Sequence, residues 1–118
     1  MPVLLIANTI FEIGIGFVFI LFPSFIVKNN ELAISFLRVI GCGAVALGIL
    51  SFLMLTLKES KELKPGLITL SVFHSLAALT LFSNFTNSIT NSLLIIIHLL
   101  LGVSFISITW KRIMSTSK

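Results

Sequence analysis

Glu12, Arg38, His74 and His98 each fall inside a long apolar stretch of the chain. A charged group near the centre of a bilayer costs at least about 2.5–3.5 kcal/mol on insertion scales, so residues of this kind in such places invite a chemical account. A carboxylate and two imidazoles can pass protons to one another. Two neutral imidazoles can also serve as axial ligands of a b-type haem. In the third reading there is no chemistry: a Glu–Arg or Glu–His contact holds helices in register.

Helical spacing gives each of these residues a polar companion. Asn8 and Glu12 are four apart, as are Arg38 and Cys42. Ser71 and His74 are three apart, with Ala78 continuing that face, and Asn91, His98 and Gly102 share a face. At 1.5 Å rise per residue, Glu12 and His74 both lie roughly 12–14 Å from the start of their apolar runs. His98 falls near the middle of its run. Arg38 is about two turns in, and its long side chain can reach further. Polar residues in membrane helices turn toward the protein interior, so Asn8, Glu12, Arg38, His74 and His98 are expected to form one polar cluster at mid-depth.

The elements that must position them are four apolar runs, 3–22, 32–57, 66–82 and 89–110. Crossing a hydrocarbon core takes about 20 helical residues, and each run is close to that. The chain is 57% hydrophobic and only 10% charged, with a mean hydropathy of +1.16. Soluble domains carry about 25% charged residues. The expectation is therefore an all-α, integral membrane, up-down-up-down four-helix bundle forming a single transmembrane domain over residues 1–118. The first run reads as a retained span rather than a cleaved signal. Glu12 sits in its middle, and Leu21-Phe22-Pro23-Ser24-Phe25 makes a poor cleavage site.

Short polar connections support this layout. Pro23 ends the first span, and Lys28-Asn29-Asn30-Glu31 makes one turn. Residues 58–66 form the second loop, with Pro65 near the first turn of span three. Residues 83–88 form the third and include the sequon Asn84-Phe85-Thr86. Lys58, Lys61, Lys64, Lys111, Arg112 and Lys118 fall on one side, against Lys28 and Arg38 on the other. Cytoplasmic loops collect Lys and Arg, so both termini are expected to be cytoplasmic, in a bacterial inner membrane. Trp110 suits an interfacial anchor. The formal charge of +4 is read as this topology signal, with anionic lipid as its counterpart. Nothing points to nucleic acid, since no basic stripe interleaves with aromatics.

Small residues allow close helix approach; Gly14/Gly16, Gly41/Gly43, Ala44/Gly48, Ala78 and Gly102 are candidates. Cys42 reads as a small buried residue between two glycines. With no Asp, no Cys/His metal spacing and no phosphate-binding glycine loop in a strand–turn–helix setting, catalysis is not expected, and neither is a resident cofactor or metal. The leading expectation is a non-catalytic subunit of a larger membrane complex or a homo-oligomer, with a proton or small-solute path. The alternative is a haem- or quinone-binding redox protein with His74 and His98 as ligands.

The segment Gly16-Phe17-Val18-Phe19-Ile20-Leu21-Phe22-Pro23, followed by Leu37-Arg38-Val39-Ile40-Gly41 with Gly48 seven residues on, resembles the opening half of small DoxX-like four-helix bacterial membrane proteins. In that pattern a glycine and a proline close span one, and an arginine–glycine pair opens span two. His74 and His98 would suit the subset with intramembrane histidines. The resemblance implies a compact four-helix bundle, sometimes associated with redox or quinone-linked partners. Glu12 has no place in the pattern.

Overall fold

The computed structural model describes residues 1–58, 60–83 and 88–115. The sequon Asn84-Phe85-Thr86, Glu59 and Lys118 lie outside the described residues. The described residues form four α-helices and one short 3-10 turn: α1 (Pro2–Leu21), the turn Pro23–Phe25, α2 (Glu31–Met54), α3 (Ser60–Ser83) and α4 (Ile89–Ser115). All four helices are long and apolar enough to cross a membrane. The chain divides into two compact units, residues 2–56 and residues from 57 onward. Each is a pair of helices.

The first pair turns where the sequence breaks its helix. Pro23 cannot continue α1; instead Ile26 and Val27 donate backbone bonds to the Pro23 carbonyl at 3.0 Å. Asn29 takes a left-handed φ of 54°, a conformation Asn tolerates better than most residues. Asn30 then caps α2, its side chain accepting from the Ala33 N–H at 3.0 Å.

Within this unit the helices run in opposite directions, because Asn8 meets Ser51 while Gly16 meets Gly41 and Val45. A methyl on Gly16 would fall 2.8 Å from the Gly41 carbonyl oxygen, and one on Gly41 would fall 2.8 Å from the Gly16 oxygen. Only glycine allows that approach. Gly48 makes similar room, since a methyl there would lie 2.6 Å from Ile13 Cγ1 and 3.3 Å from Glu12 Cβ. Gly14 and Gly43, by contrast, face open space.

The second pair begins earlier than the apolar run does. Residues 60–65, expected as loop, are helical, and Pro65 lies inside α3. The apolar boundary at Gly66 marks where a hydrocarbon core can start. Lys61, Glu62, Leu63 and Lys64 are all good helix formers, so the helix extends beyond that boundary. Pro65 has no N–H, so only the Lys61 carbonyl loses its helical partner. At the other end, Ser88 Oγ accepts from the Asn91 N–H at 3.0 Å and caps α4. Helix α4 runs on past Trp110 to Ser115.

Ser71 meets Thr109 and Ser75 meets Gly102, so α3 and α4 are also antiparallel. Lys61, Lys64, Lys111 and Arg112 therefore collect at one end of this pair. The core of the unit is Leu63, Leu67, Leu70, Ala78, Ile95, Leu101 and Phe105, all buried. Outward, both units present apolar side chains: Val3, Phe25, Leu79, Phe82, Ile89 and Val103 are all more than 60% exposed. That exterior suits lipid.

Candidate functional site

The α3–α4 pair carries a column of polar side chains along its seam. Ser71 lies toward the basic end, His74 one turn further, and Ser75 beside it. Thr109, Gly102 and His98 face them from α4. At the centre, His74 Nδ1 and His98 Nδ1 are 2.9 Å apart. Neutral imidazole has one N–H and one bare nitrogen, so one ring donates from Nδ1 and the other accepts there. Both side chains are buried, with His74 at 0% and His98 at 9% exposure.

Aromatic rings fix the pair from several sides. Phe105 stacks on the His74 ring at a centroid distance of 5.7 Å and an interplanar angle of 10°. Phe73 presents its edge to both imidazoles, at 5.1 Å from His74 and 5.9 Å from His98. Such offset and edge contacts are the favoured aromatic geometries. The result is a buried hydrogen bond flanked by two phenyl rings, electrostatically stronger than the same bond in water.

Next along the seam, the Ser71 hydroxyl donates to the Leu67 carbonyl at 2.7 Å. The Thr109 hydroxyl then donates to Ser71 Oγ, 3.3 Å away. Ser75 Oγ donates to the Ser71 carbonyl at 2.8 Å. Gly102 lets α4 come close, for a methyl there would sit 3.5 Å from Ser75 N and 3.6 Å from the His74 carbonyl carbon. On its outer side the seam opens into a groove of about 390 Å³. Its floor is Ser75, Ala78, Gly102 and His98; Leu79, Phe82, Leu99 and Val103 form its walls.

The α1–α2 pair has polar groups of its own. Asn8 Nδ2 donates to Ser51 Oγ at 2.6 Å, and Ser51 donates in turn to the Leu47 carbonyl at 3.1 Å. One turn along α1 from Asn8, Glu12 is buried at 1% exposure, its Cβ over the gap left by Gly48.

The expected site residues thus fare differently. Asn8, Glu12, His74 and His98 are buried, as the helical stripes require, and His74 and His98 meet directly. Arg38 is exposed. The buried face of α2 is Gly41, Ala44, Gly48, Ser51 and Met54, and at about 100° per residue Arg38 lies roughly 120° from its centre. Cys42 corrects the sequence expectation outright: it is exposed, roughly 160° from that centre by the same helical rotation. Asn91 is half-buried, with an amide nitrogen that is buried and unpaired among the described residues.

Ser51 and Thr109 were not singled out from sequence, yet both are buried partners in polar pairs. Ser51 extends the small-residue stripe Ala44–Gly48–Ser51, a signal that was present in the spacing. Thr109 had none, lying beside Trp110 where a polar residue at a membrane boundary is ordinary. Comparison of the chain with protein-family models, with curated proteins and with solved structures finds no match in any of the three.

Proposed function

We propose that this chain is an integral protein of a bacterial inner membrane. Its helices run up-down-up-down as a four-helix bundle with both termini cytoplasmic, and it works as a non-catalytic subunit of a membrane complex or as a homo-oligomer. In this reading its mid-span polar groups carry protons. Kinship with DoxX-like proteins is part of the proposal and rests on the sequence segments and the helix count.

The observation that carries it is the direct Nδ1 contact of His74 with His98 at 2.9 Å. A proton arriving at the outer nitrogen of one ring releases the proton between the rings to the other, whose own outer nitrogen then passes a proton on. Ser71 and Thr109 supply hydroxyls nearer the basic end, and Ser75 supplies one beside His74. Glu12, with Asn8 on the same face of α1, supplies a carboxyl at mid-helix in the other pair. Lys61, Lys64, Lys111 and Arg112 at one end of α3–α4 favour the orientation with that end inside, and also contact with anionic lipid.

The haem alternative fits this arrangement poorly. Axial nitrogens on opposite sides of an iron lie about 4 Å apart for bonds of about 2 Å, and a porphyrin disc must pass between the rings. Here the rings touch, and the α3 and α4 backbones come together at Ser75 and Gly102, beside His74.

The test is proton flux into vesicles holding the purified protein, driven by an imposed potential and read with an internal pH dye. His74→Gln, His98→Gln and Glu12→Gln are each expected to lower the flux while circular dichroism stays unchanged. Equal flux from wild type and both histidine variants would sink the proton reading. An absorption spectrum without a Soret band is the expected companion result.

A further inference from the structure

Where α1 gives way to α2, the turn holds a groove of about 400 Å³ whose lining carries both signs of charge. Lys28, Asn29 and Glu31 line it, together with Ile34. We infer that this groove, completed by Arg38, binds the headgroup of one aminophospholipid of the phosphatidylethanolamine type from the leaflet at that end. The inference rests on the membrane-spanning reading of α1 and α2 and is independent of proton transport.

Helical rotation brings Arg38 to this groove. At about 100° per residue it falls roughly 20° from Glu31 and 40° from Ile34 around α2, so the three share one face. Helical side chains lean toward the N-terminus of their helix, which for Arg38 is the direction of the groove. It lies about 10 Å along the axis from Glu31 by helical rise, and its long side chain covers much of that distance. Arg38 is exposed, and a charge on a helix face that meets hydrocarbon is costly unless it is paired or reaches the boundary. A phosphate in the groove supplies the partner.

The charges choose the lipid. A phosphodiester accepts two parallel hydrogen bonds from an Arg fork and one point charge from Lys, so Arg38 and Lys28 hold it together. Glu31 repels a headgroup that is only anionic and attracts one that also carries an ammonium. An ethanolamine ammonium brings three N–H donors, as a Lys ammonium does; a choline brings none. Beyond Arg38 the same face continues through Cys42 and Ile49, both exposed and within about 40° of it. Cys42 is small, which leaves an acyl chain room to lie along α2.

Native mass spectrometry of the full chain, released from nanodiscs of mixed phosphatidylethanolamine, phosphatidylcholine and phosphatidylglycerol, reads which lipid stays bound. One phosphatidylethanolamine per chain is expected, in preference to either competitor. Arg38→Leu and Lys28→Gln should each cut its retention about fivefold or more, and Glu31→Gln should erase the preference over phosphatidylcholine. Lys61→Gln, at the basic end of the α3–α4 pair, should leave it unchanged. Circular dichroism of each variant is expected to match wild type; should Arg38→Leu fail to fold, the selectivity of the wild-type protein decides. Retention without preference, a preference for phosphatidylglycerol, or equal loss in Lys61→Gln overturns the site and leaves the membrane reading intact. Displacement of the lipid by inorganic phosphate assigns the two cations to a free anion and also overturns the site. A chain that does not enter nanodiscs overturns the membrane reading, and the site with it.

Discussion

Where α1 meets α2, backbone lies against backbone at Gly16 and Gly41, with Gly48 opening a gap for Ile13 and Glu12. Where α3 meets α4, side chains do the joining: Ser71 with Thr109, His74 with His98, and a looser glycine contact at 3.5 Å. Both pairs are antiparallel, similar in length and apolar outside. The difference lies in what can be changed without loss. Close glycine packing gathers many weak dispersion contacts and gives steric specificity. Polar side-chain packing is individually weak in membranes, with measured interhelical hydrogen bonds averaging about 0.6 kcal/mol, yet it puts exchangeable protons at mid-helix. On this comparison the first pair is joined mainly by backbone shape and the second by side-chain hydrogen bonds.

The largest effect is expected at Gly41. A side chain there meets the Gly16 backbone, and backbone cannot move aside as a flexible side chain can. Gly41→Val should destabilise the α1–α2 pair by about 1–3 kcal/mol, the usual range for overpacking. The loss would be read as a fall in the midpoint of unfolding in mixed detergent. A Gly41→Val protein as stable as wild type would break the contrast between the pairs.

His98→Ala comes next. It removes one partner of a buried hydrogen bond and opens a gap beside Phe73. An expected loss of about 1–3 kcal/mol follows, the range for taking one partner from a buried hydrogen bond. Double substitution of both histidines by Leu should be milder than the sum of the two single changes, since both members of the hydrogen bond are then replaced together. A double variant no better than the sum of the singles would deny that the two rings form a unit.

Asn8→Leu is smaller still, about 0.6 kcal/mol on the membrane scale, because Ser51 keeps its bond to the Leu47 carbonyl. Gly102→Ala is expected near neutral, its methyl landing in ordinary contact. Gly14→Ala and Gly43→Ala have nothing within 4 Å and should be neutral or gain up to about 1 kcal/mol from helix propensity. Thermal unfolding of the three alanine variants beside Gly41→Val sharpens the comparison. Equal losses at all four would mean that the glycine contacts are not specific.

Much of this was legible in the residues. Four apolar runs and Pro23 foretell four long helices, because run length, hydrophobicity and a helix-breaking proline are read directly from the residues. The stripes Asn8–Glu12 and Ser71–His74–Ala78 were readable because helical periodicity sorts buried from exposed positions. Arg38 and Cys42 were misplaced for a physical reason: α2 turns its small residues inward at Gly41, Ala44 and Gly48, and the larger neighbours follow outward. Which glycines matter was hidden too, since Gly14 and Gly16 differ only in which way the partner helix lies. The direct contact of His74 with His98 depends on the register of α3 against α4. That register is set by Gly102, Ser75 and the Ser71–Thr109 pair, none of which declares a partner in sequence.

Nitrogen NMR reads the pair of His74 and His98 without perturbing it. In 15N-histidine-labelled protein in lipid, an N–H···N bond transmits scalar coupling between its two nitrogens. A coupling that joins Nδ1 of His74 to Nδ1 of His98 and vanishes in both His74→Gln and His98→Gln is expected. Two uncoupled imidazoles, each with the spectrum of an isolated ring, would contradict it.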